Sequence, residues 1–353
     1  LTLLAQAPVP LLCEGLPGIG GLTRVAEEDF RVEELPLYEP SGAGEHLYLT
    51  VEKIGRTTPE VAKELAQALG ARDAGTAGLK DKRGVTVQRM SFAAKLAPEE
   101  AVELAGRGWR VLAAARHGNK LRPGHLRGNR FRIVVRGVGP QALSNSQAIC
   151  DRLRAQGAAN LFGPQRFGKY GDNAELGLRI LLRDPSAHKA GRDRFLRRMA
   201  LSALQSELFN RCLAARIADG LFATAIEGDV LKKRATGGLF VCEDPAVDAP
   251  RVLSCEVDPT GPLPGHSIFA ARAEALRREQ AVLAQAQIDP ASFAAGGAEM
   301  EGARRPYRIP VGELRVEPLD PDALVLSFAL PKGSYALSVL REVIHTPLED
   351  GTE

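Results

Sequence analysis

The chain is short of the residue patterns that usually announce chemistry. Its five cysteines, Cys13, Cys150, Cys212, Cys242 and Cys255, are scattered, and no two share a Cys-x-x-Cys spacing. That argues against a zinc knuckle or a redox dithiol. The six histidines include no His-Glu-x-x-His, and no lysine is followed by Ser or Thr, which excludes a Walker A phosphate loop. A Gly-x-Ser-x-Gly elbow is missing too. Whatever chemistry exists must rest on carboxylates, amides and cations, with no metal and no cofactor expected. No run approaches the ~20 apolar residues that span a bilayer. The apolar start, Leu1 to Leu12, carries two prolines and no basic n-region, which reads against a signal peptide. Together with the sparse cysteines, this predicts a soluble protein of the reducing cytoplasm.

What is present is ordinary globular composition, with 44% hydrophobic and 25% charged residues. At 353 residues the chain exceeds one comfortable core, so two domains are expected. Lys and Arg number 46 against 43 Asp and Glu, a net charge of only +3. Net charge alone therefore says little about partners.

The first part alternates strands with short helices. Leu47, Leu49 and Val51 alternate with polar neighbours, the period of a half-buried strand. Thr58 reads as the cap of a helix with Pro59 at its first turn and Gly70 as its stop. Val85 to Phe92 reads as a strand entered through the turn Lys80-Asp81-Lys82-Arg83. A short helix is expected from Pro98 to Gly106, a strand from Arg130 to Arg136, and a helix from Pro140 to Gln156. Further on, an apolar stripe from Leu196 to Leu213 predicts a long helix over 193–219, closed by Gly220. Residues 243–266 read as an irregular connection, 271–287 as a polar helix, and Ala294 to Ala298 as a flexible joint. Strand character returns at Glu313 to Val316 and Ala323 to Leu330. The pattern predicts an α+β protein with a mixed or antiparallel sheet, interrupted by an inserted domain. The catalytic domain would comprise 1–157 and 306–353, and the insert 158–305.

Four clusters could carry function. Residues 116–136 hold seven cations and no acid: Arg116, Lys120, Arg122, Arg127, Arg130, Arg132 and Arg136. Such a block neutralises phosphates, although a solvated loop and a polar strand face would contain the same residues. A second basic group, Arg192, Arg194, Arg197 and Arg198, opposes the dipole of the long helix it opens. In Lys80-Asp81-Lys82-Arg83 the carboxylate is biased toward its ionised form, which suits a nucleophile; a charged hairpin turn is the plainer reading. Between Asn160 and Gly168, two aromatics and Arg166 could hold a base, or Phe162 and Phe167 could simply be core. Asn129, after Gly128, could meet the polar edge of a base or simply make a turn.

Taken in order, these segments resemble one family, the tRNA pseudouridine synthase D (TruD) family. The matching pieces are Asp29 to Glu34, Ala77 to Gln88, Gly128 to Phe131, Asn160 to Gly168, Leu204 to Asn210, Gly228-Asp229-Val230 and Leu330 to Glu342. The resemblance covers nearly the whole chain. It implies isomerisation of uridine to pseudouridine in tRNA, at position 13 of the D arm. It also implies a circularly permuted pseudouridine synthase catalytic domain plus an inserted α/β TRUD domain. The family's nucleophilic aspartate falls on Asp81, and its substrate-binding positions on Phe30, Asn129 and Tyr335. Phe131 matches an aromatic beside the target base, Arg24 a basic residue before Asp29-Phe30, and Lys80 the cation of the Lys-Asp motif. Tyr335 stands where Phe is usual, Arg24 where Lys is usual, Leu161 for Tyr and Gly84 for Ala. The expected partner is tRNA, with no membrane and no obligate protein partner, for a monomer. The rival reading is a non-catalytic RNA-binding protein or RNA chaperone on the same scaffold.

Overall fold

The structure is a computed structural model that describes residues 8–346. The apolar start that reads against a signal peptide lies largely outside that range. Two compact units are present. One is built from Gly15–Ala155 and the chain from Pro310 onward; the other is Gln156–Ile309 with the described residues up to Glu14.

The first unit is organised on a ten-stranded sheet. Its main path runs Gly312–Asp320, Ala323–Pro331, Leu126–Arg136, Phe30–Pro36, Val85–Ala93, His46–Ile54, Trp109–His117 and Ala105–Gly106. Leu22–Thr23 and Ala74–Thr76 pair from the side. Every pairing is antiparallel except Phe30–Pro36 with Val85–Ala93, which is parallel. The sheet is therefore mixed, as the strand–helix order predicts. The helix Thr58–Ala68 starts one residue earlier than its sequence suggests, because Thr57 is the cap. The Glu60 carboxylate accepts the Thr57 N–H at 2.7 Å, and Pro59 fills the first turn where no donor is needed. Its Val61 and Leu65 cover Leu47, Leu49, Val51, Met90 and Phe92, the core of this half of the sheet.

In the second unit the long helix is Arg194–Ala218, capped by Asp193, whose carboxylate accepts the Leu196 N–H at 2.9 Å. Asn173–Leu181 packs on it through Gly177, where a Cβ would lie 2.2 Å from the Ala200 carbonyl oxygen. A four-stranded antiparallel sheet, Leu239–Val241, Val230–Lys233, Val257–Leu263 and Ala303–Pro306, completes the unit.

Three expectations are corrected here. Residues 243–266 are not irregular: Asp244 caps the helix Pro245–Leu253, and Val257–Leu263 is an inner strand. Pro259 lacks a donor, yet its carbonyl still accepts the Tyr307 N–H at 2.9 Å, so the strand survives. Ala294 to Ala298 is no free joint: it lies in Pro290–Met300, where two 3-10 helical stretches meet at a fixed kink on Gly297 (φ 62°, ψ −146°). Gly296 is there for packing, since a Cβ would meet the Met300 side chain at 2.1 Å. The helix at Pro98 ends at Ala101, and Ala105–Gly106 turns into a short strand.

The Gly-Asp-Val segment proves to be scaffold. Gly228 has φ +82° and abuts the Arg272 carbonyl, while both Asp229 oxygens accept from Arg216, at 2.8 and 2.6 Å. Both side chains are buried. Asp229→Ala strands a guanidinium in the interior, and is expected to destabilise this unit by about 3–5 kcal/mol. Urea unfolding should register that as a lower midpoint for the transition of this unit.

Candidate active site around Asp81

Register sets the site. Lys53 is the direct cross-strand partner of Thr86, Thr86 of Val32, Val32 of Phe131, and Phe131 of Phe328. One row along, Glu34 pairs with Asn129 and Asn129 with Leu330. Direct partners project to the same side of a sheet, so Lys53, Glu34, Asn129 and Phe131 share one face.

The loop between Ala74–Thr76 and Val85–Ala93 lies against that face. Lys80 turns inward and places Nζ 3.0 Å from the buried carboxylate of Glu34, whose other oxygen accepts the Arg89 N–H at 3.2 Å. The Lys80 N–H donates to Thr58 Oγ1 at 3.0 Å, and the Thr58 hydroxyl donates to Gln88 Oε1 at 2.7 Å. Lys53 Nζ donates to the Asp81 carbonyl at 2.7 Å. With the backbone so held, the Asp81 side chain points outward and is 53% exposed. Gly84 closes the loop at φ +121°, and a Cβ there would lie 2.4 Å from the Phe30 carbonyl oxygen. Glycine rather than alanine is what this loop accepts.

Arg24 reaches the nucleophile candidate directly, with Nη2 3.3 Å from Asp81 Oδ2. Its guanidinium lies over the Phe30 ring at 3.9 Å, an arrangement that favours a planar cation. Arg24 itself holds φ 59°, a left-handed conformation that needs anchoring. The anchor is Asp29, which accepts the Ala26 N–H at 2.9 Å and a forked pair from Arg136 at 2.7–3.1 Å. Phe30 meets Phe131 edge-on at 6.4 Å, and Phe131 stacks on Phe328 at 5.2 Å.

The structure thus brings Arg24, Phe30 and Asp81 into contact, backs Phe30 with Phe131, and sets Lys80 beneath the loop. Asn129 stands two residues from Phe131 on the same face, with Oδ1 buried and unpartnered. Tyr335 is 50% exposed in the turn after Ala323–Pro331, and among the described residues its side chain makes no hydrogen bond or ring contact with the Asp81 group. The basic tract is largely committed internally. Arg116 donates to the Ala94 and Leu96 carbonyls, Lys120 pairs with Asp73, Arg130 with Glu33 and Glu313, and Arg136 with Asp29. The side chains of Arg122, Arg127 and Arg132 have no hydrogen-bonding or ion-pair partner among the described residues, and all three residues are exposed. Phe162 and Phe167 are buried, matching the core reading; Asn210 grips the Phe162 backbone with both amide atoms at 2.9 Å.

Sequence reasoning passes over Lys53, Thr58 and Gln88. For Lys53 a signal is available. Leu47, Leu49 and Val51 mark the buried phase of their strand, and the next residue in phase is a lysine. Glu34 likewise continues the buried phase of Phe30 and Val32.

The site thus presents an exposed carboxylate on a pinned loop of a mixed sheet, with a stacked arginine beside it. The family model described as tRNA pseudouridine synthase D (TruD) matches residues 9–190 and 185–343. A tRNA pseudouridine synthase D of Anaeromyxobacter sp. (strain Fw109-5) is 56% identical, over 96% of this chain and 97% of its own. That of a Thermus thermophilus strain is 45% identical, over 98% and 94%. In fold, the chain is similar to the crystal structure of a Methanosarcina mazei protein assigned to tRNA pseudouridine synthase D. Its TM-score is 0.80, with 23% identity and 96% of both chains covered. The chain belongs to the tRNA pseudouridine synthase D (TruD) family.

Asp29 supplies a test of the anchor. The Arg136 fork, and secondarily the Ala26 N–H, hold its carboxyl below the usual 3.8 against the opposing effect of burial. A depressed folded pKa contributes stability that is full above the ordinary value and lost as pH falls through the folded one. Asp29→Asn should therefore cost about 1–2 kcal/mol at pH 7, allowing for the half-exposed Arg136. The gap to wild type should narrow below about pH 4 in urea titrations.

Proposed function

We propose that the protein is a tRNA pseudouridine synthase that isomerises uridine, at position 13 of the D arm, with Asp81 as nucleophile. Family membership supports the reaction. The observation that carries the residue assignment is the Asp81 carboxylate, at the family's Lys-Asp position, presented outward from a loop fixed by Lys53, Thr58 and Glu34. A uridine must leave its stack to be reached. Asp81 then attacks C6 of the base or C1′ of the ribose, and the N1–C1′ bond breaks. The base turns, C5 bonds to C1′, the bond to Asp81 breaks, the C5 proton leaves and N1 takes up a proton. No atom is gained or lost overall, so no co-substrate is consumed.

The buried, unpartnered Asn129 Oδ1 is an acceptor suited to the N3–H of the uracil, and its amide a donor for the adjacent carbonyl. Arg24 keeps Asp81 in place and lies where a phosphate of the distorted RNA would approach. Phe30 and Phe131, both buried, support the floor beneath the base, and Tyr335 offers an exposed ring for stacking. Lys80, spent on Glu34, acts on the loop rather than on the substrate. The protein works as a monomer in the cytoplasm, on tRNA alone.

The decisive experiment uses tRNA tritiated at uridine C5. Asp81→Asn keeps the shape and removes the nucleophile, so tritium release should fall to background. Melting temperature and tRNA affinity should hold, because the exposed Arg24–Asp81 pair is worth only ~0–1 kcal/mol. Full release from that variant would transfer suspicion to Glu33 and Glu34. Tight binding without release by the wild type would instead support the RNA-chaperone reading.

A second test concerns the free cations. Removing one cation that neutralises a phosphate lowers the log–log salt slope by roughly 0.7 for single-strand-like RNA. Arg122, Arg127 and Arg132 changed together to Ala should flatten the slope by about 2. An unchanged slope would mean that these three arginines do not meet the RNA.

A further inference from the structure

Lys53 is a lysine with no access to solvent, and no carboxylate lies within ion-pairing distance of its ammonium among the described residues. Buried lysines are rare unless paired. Its three N–H donors find backbone carbonyls instead: Arg56 O at 2.7 Å, Asp81 O at 2.7 Å and Lys80 O at 3.5 Å. Two of those three acceptors belong to the Lys80-Asp81 dipeptide; the third belongs to the loop leading into the Thr58–Ala68 helix. We propose that Lys53 is a positioning residue for the reaction: its enclosed ammonium ties down the backbone of Asp81, and loss of its proton releases that loop. The proposal rests on the functional reading of Asp81 given above.

The chemistry of the two protonation states differs in kind. An ammonium offers three donors to three carbonyls. A neutral amine offers two donors and a lone pair, so one carbonyl must face an electron pair and the tripod opens. The charged groups around it are few. Asp81 and Lys80 face it from the loop, and Glu60 from the helix. Its direct cross-strand neighbours, Thr86 and Trp109, are uncharged. Arg110, next along the outer strand, is turned to Glu52. Burial dominates this balance and pulls the Lys53 pKa down to about 8, with the Asp81 charge opposing it. The switch therefore falls inside the range in which the enzyme can be assayed.

A purely structural lysine would behave differently. Because the folded pKa lies below the ordinary 10.5, the unfolded chain binds more protons between about 8 and 10.5. From this group alone, stability rises with pH in that window. Activity should move the opposite way.

The test measures single-turnover tritium release at saturating tRNA against pH, beside amide hydrogen exchange of residues 78–84 corrected for its intrinsic pH dependence. In the wild type, the rate should fall and loop exchange should rise through one step centred about pH 8, with the melting temperature not falling. Lys53→Met, uncharged and of similar length, should lack the step in both measurements. Its rate at pH 7 should be roughly 10- to 100-fold below wild type, with KM for tRNA unchanged, the penalty of a misplaced reacting group. No step in the wild type, or a step that persists in Lys53→Met, overturns the proposal. So does a Met variant that turns over at the wild-type rate. Both wild-type measurements stand even where the variant fails to fold. Absence of tritium release at every pH would overturn the assignment of function instead. Loop exchange would then decide the role of Lys53 by itself.

Discussion

Everything at the site depends on one parallel pairing, Phe30–Pro36 against Val85–Ala93, in a sheet otherwise antiparallel. A parallel pair cannot be closed by a hairpin; it requires a crossover. Here the connection includes the His46–Ile54 strand, the Thr58–Ala68 helix and the loop that carries Asp81. The crossover returns to the sheet beside Phe30, which is why Gly84 sits under the Phe30 carbonyl and Arg24 can reach Asp81. Shifting that register by one residue would send Glu34 to the face opposite Thr86 and Lys53 and leave Lys80 without its partner.

The supporting face is unusual because charge stands where strand periodicity calls for apolar residues. Lys80–Glu34 and Lys53 are withdrawn from water, and enclosed charges seldom add net stability over apolar replacements. What they contribute is definition. A loop of glycine, lysine and aspartate has many conformations of similar energy, and directional hydrogen bonds from below select one of them. Phe30, Phe131 and Phe328 continue the same layer with aromatic packing, so the ground beneath Arg24 is firm as well.

Much of this is legible in the sequence. The long helix announces itself by a stripe and a Gly220 stop, and the structure keeps both and adds Asp193 as the cap. The segment 243–266 misleads because Asp244 and Pro245, a helix start, look like loop residues when no apolar stripe follows. Val257–Leu263 is hidden by two prolines that a central strand rarely tolerates. Asp81 can be singled out from its neighbours, whereas the commitments of the basic tract cannot. Lys120, Arg130 and Arg136 find Asp73, Glu313 and Asp29, partners distant in sequence, so three of the seven cations that read as free charge are ion-paired. Only tertiary proximity separates the three unpartnered arginines from the rest.

The strand that bears Asn129 and Phe131 takes its outer neighbour, Ala323–Pro331, from nearly two hundred residues further along the chain. During synthesis, at ~5–20 residues per second, that neighbour arrives roughly 10–40 s after its partner has been made. The Gln156–Ile309 unit is complete by then, its stretch of sequence being continuous. Phe131 gains Phe328 beside it only after that stretch has been made. A chain that stops short of those last strands therefore carries Asp81 and the whole inserted unit, yet presents an open edge at Leu126–Arg136 where the finished protein has a wall. Maturation of this site is timed by the arrival of Gly312–Asp320 and Ala323–Pro331, not by the making of Asp81.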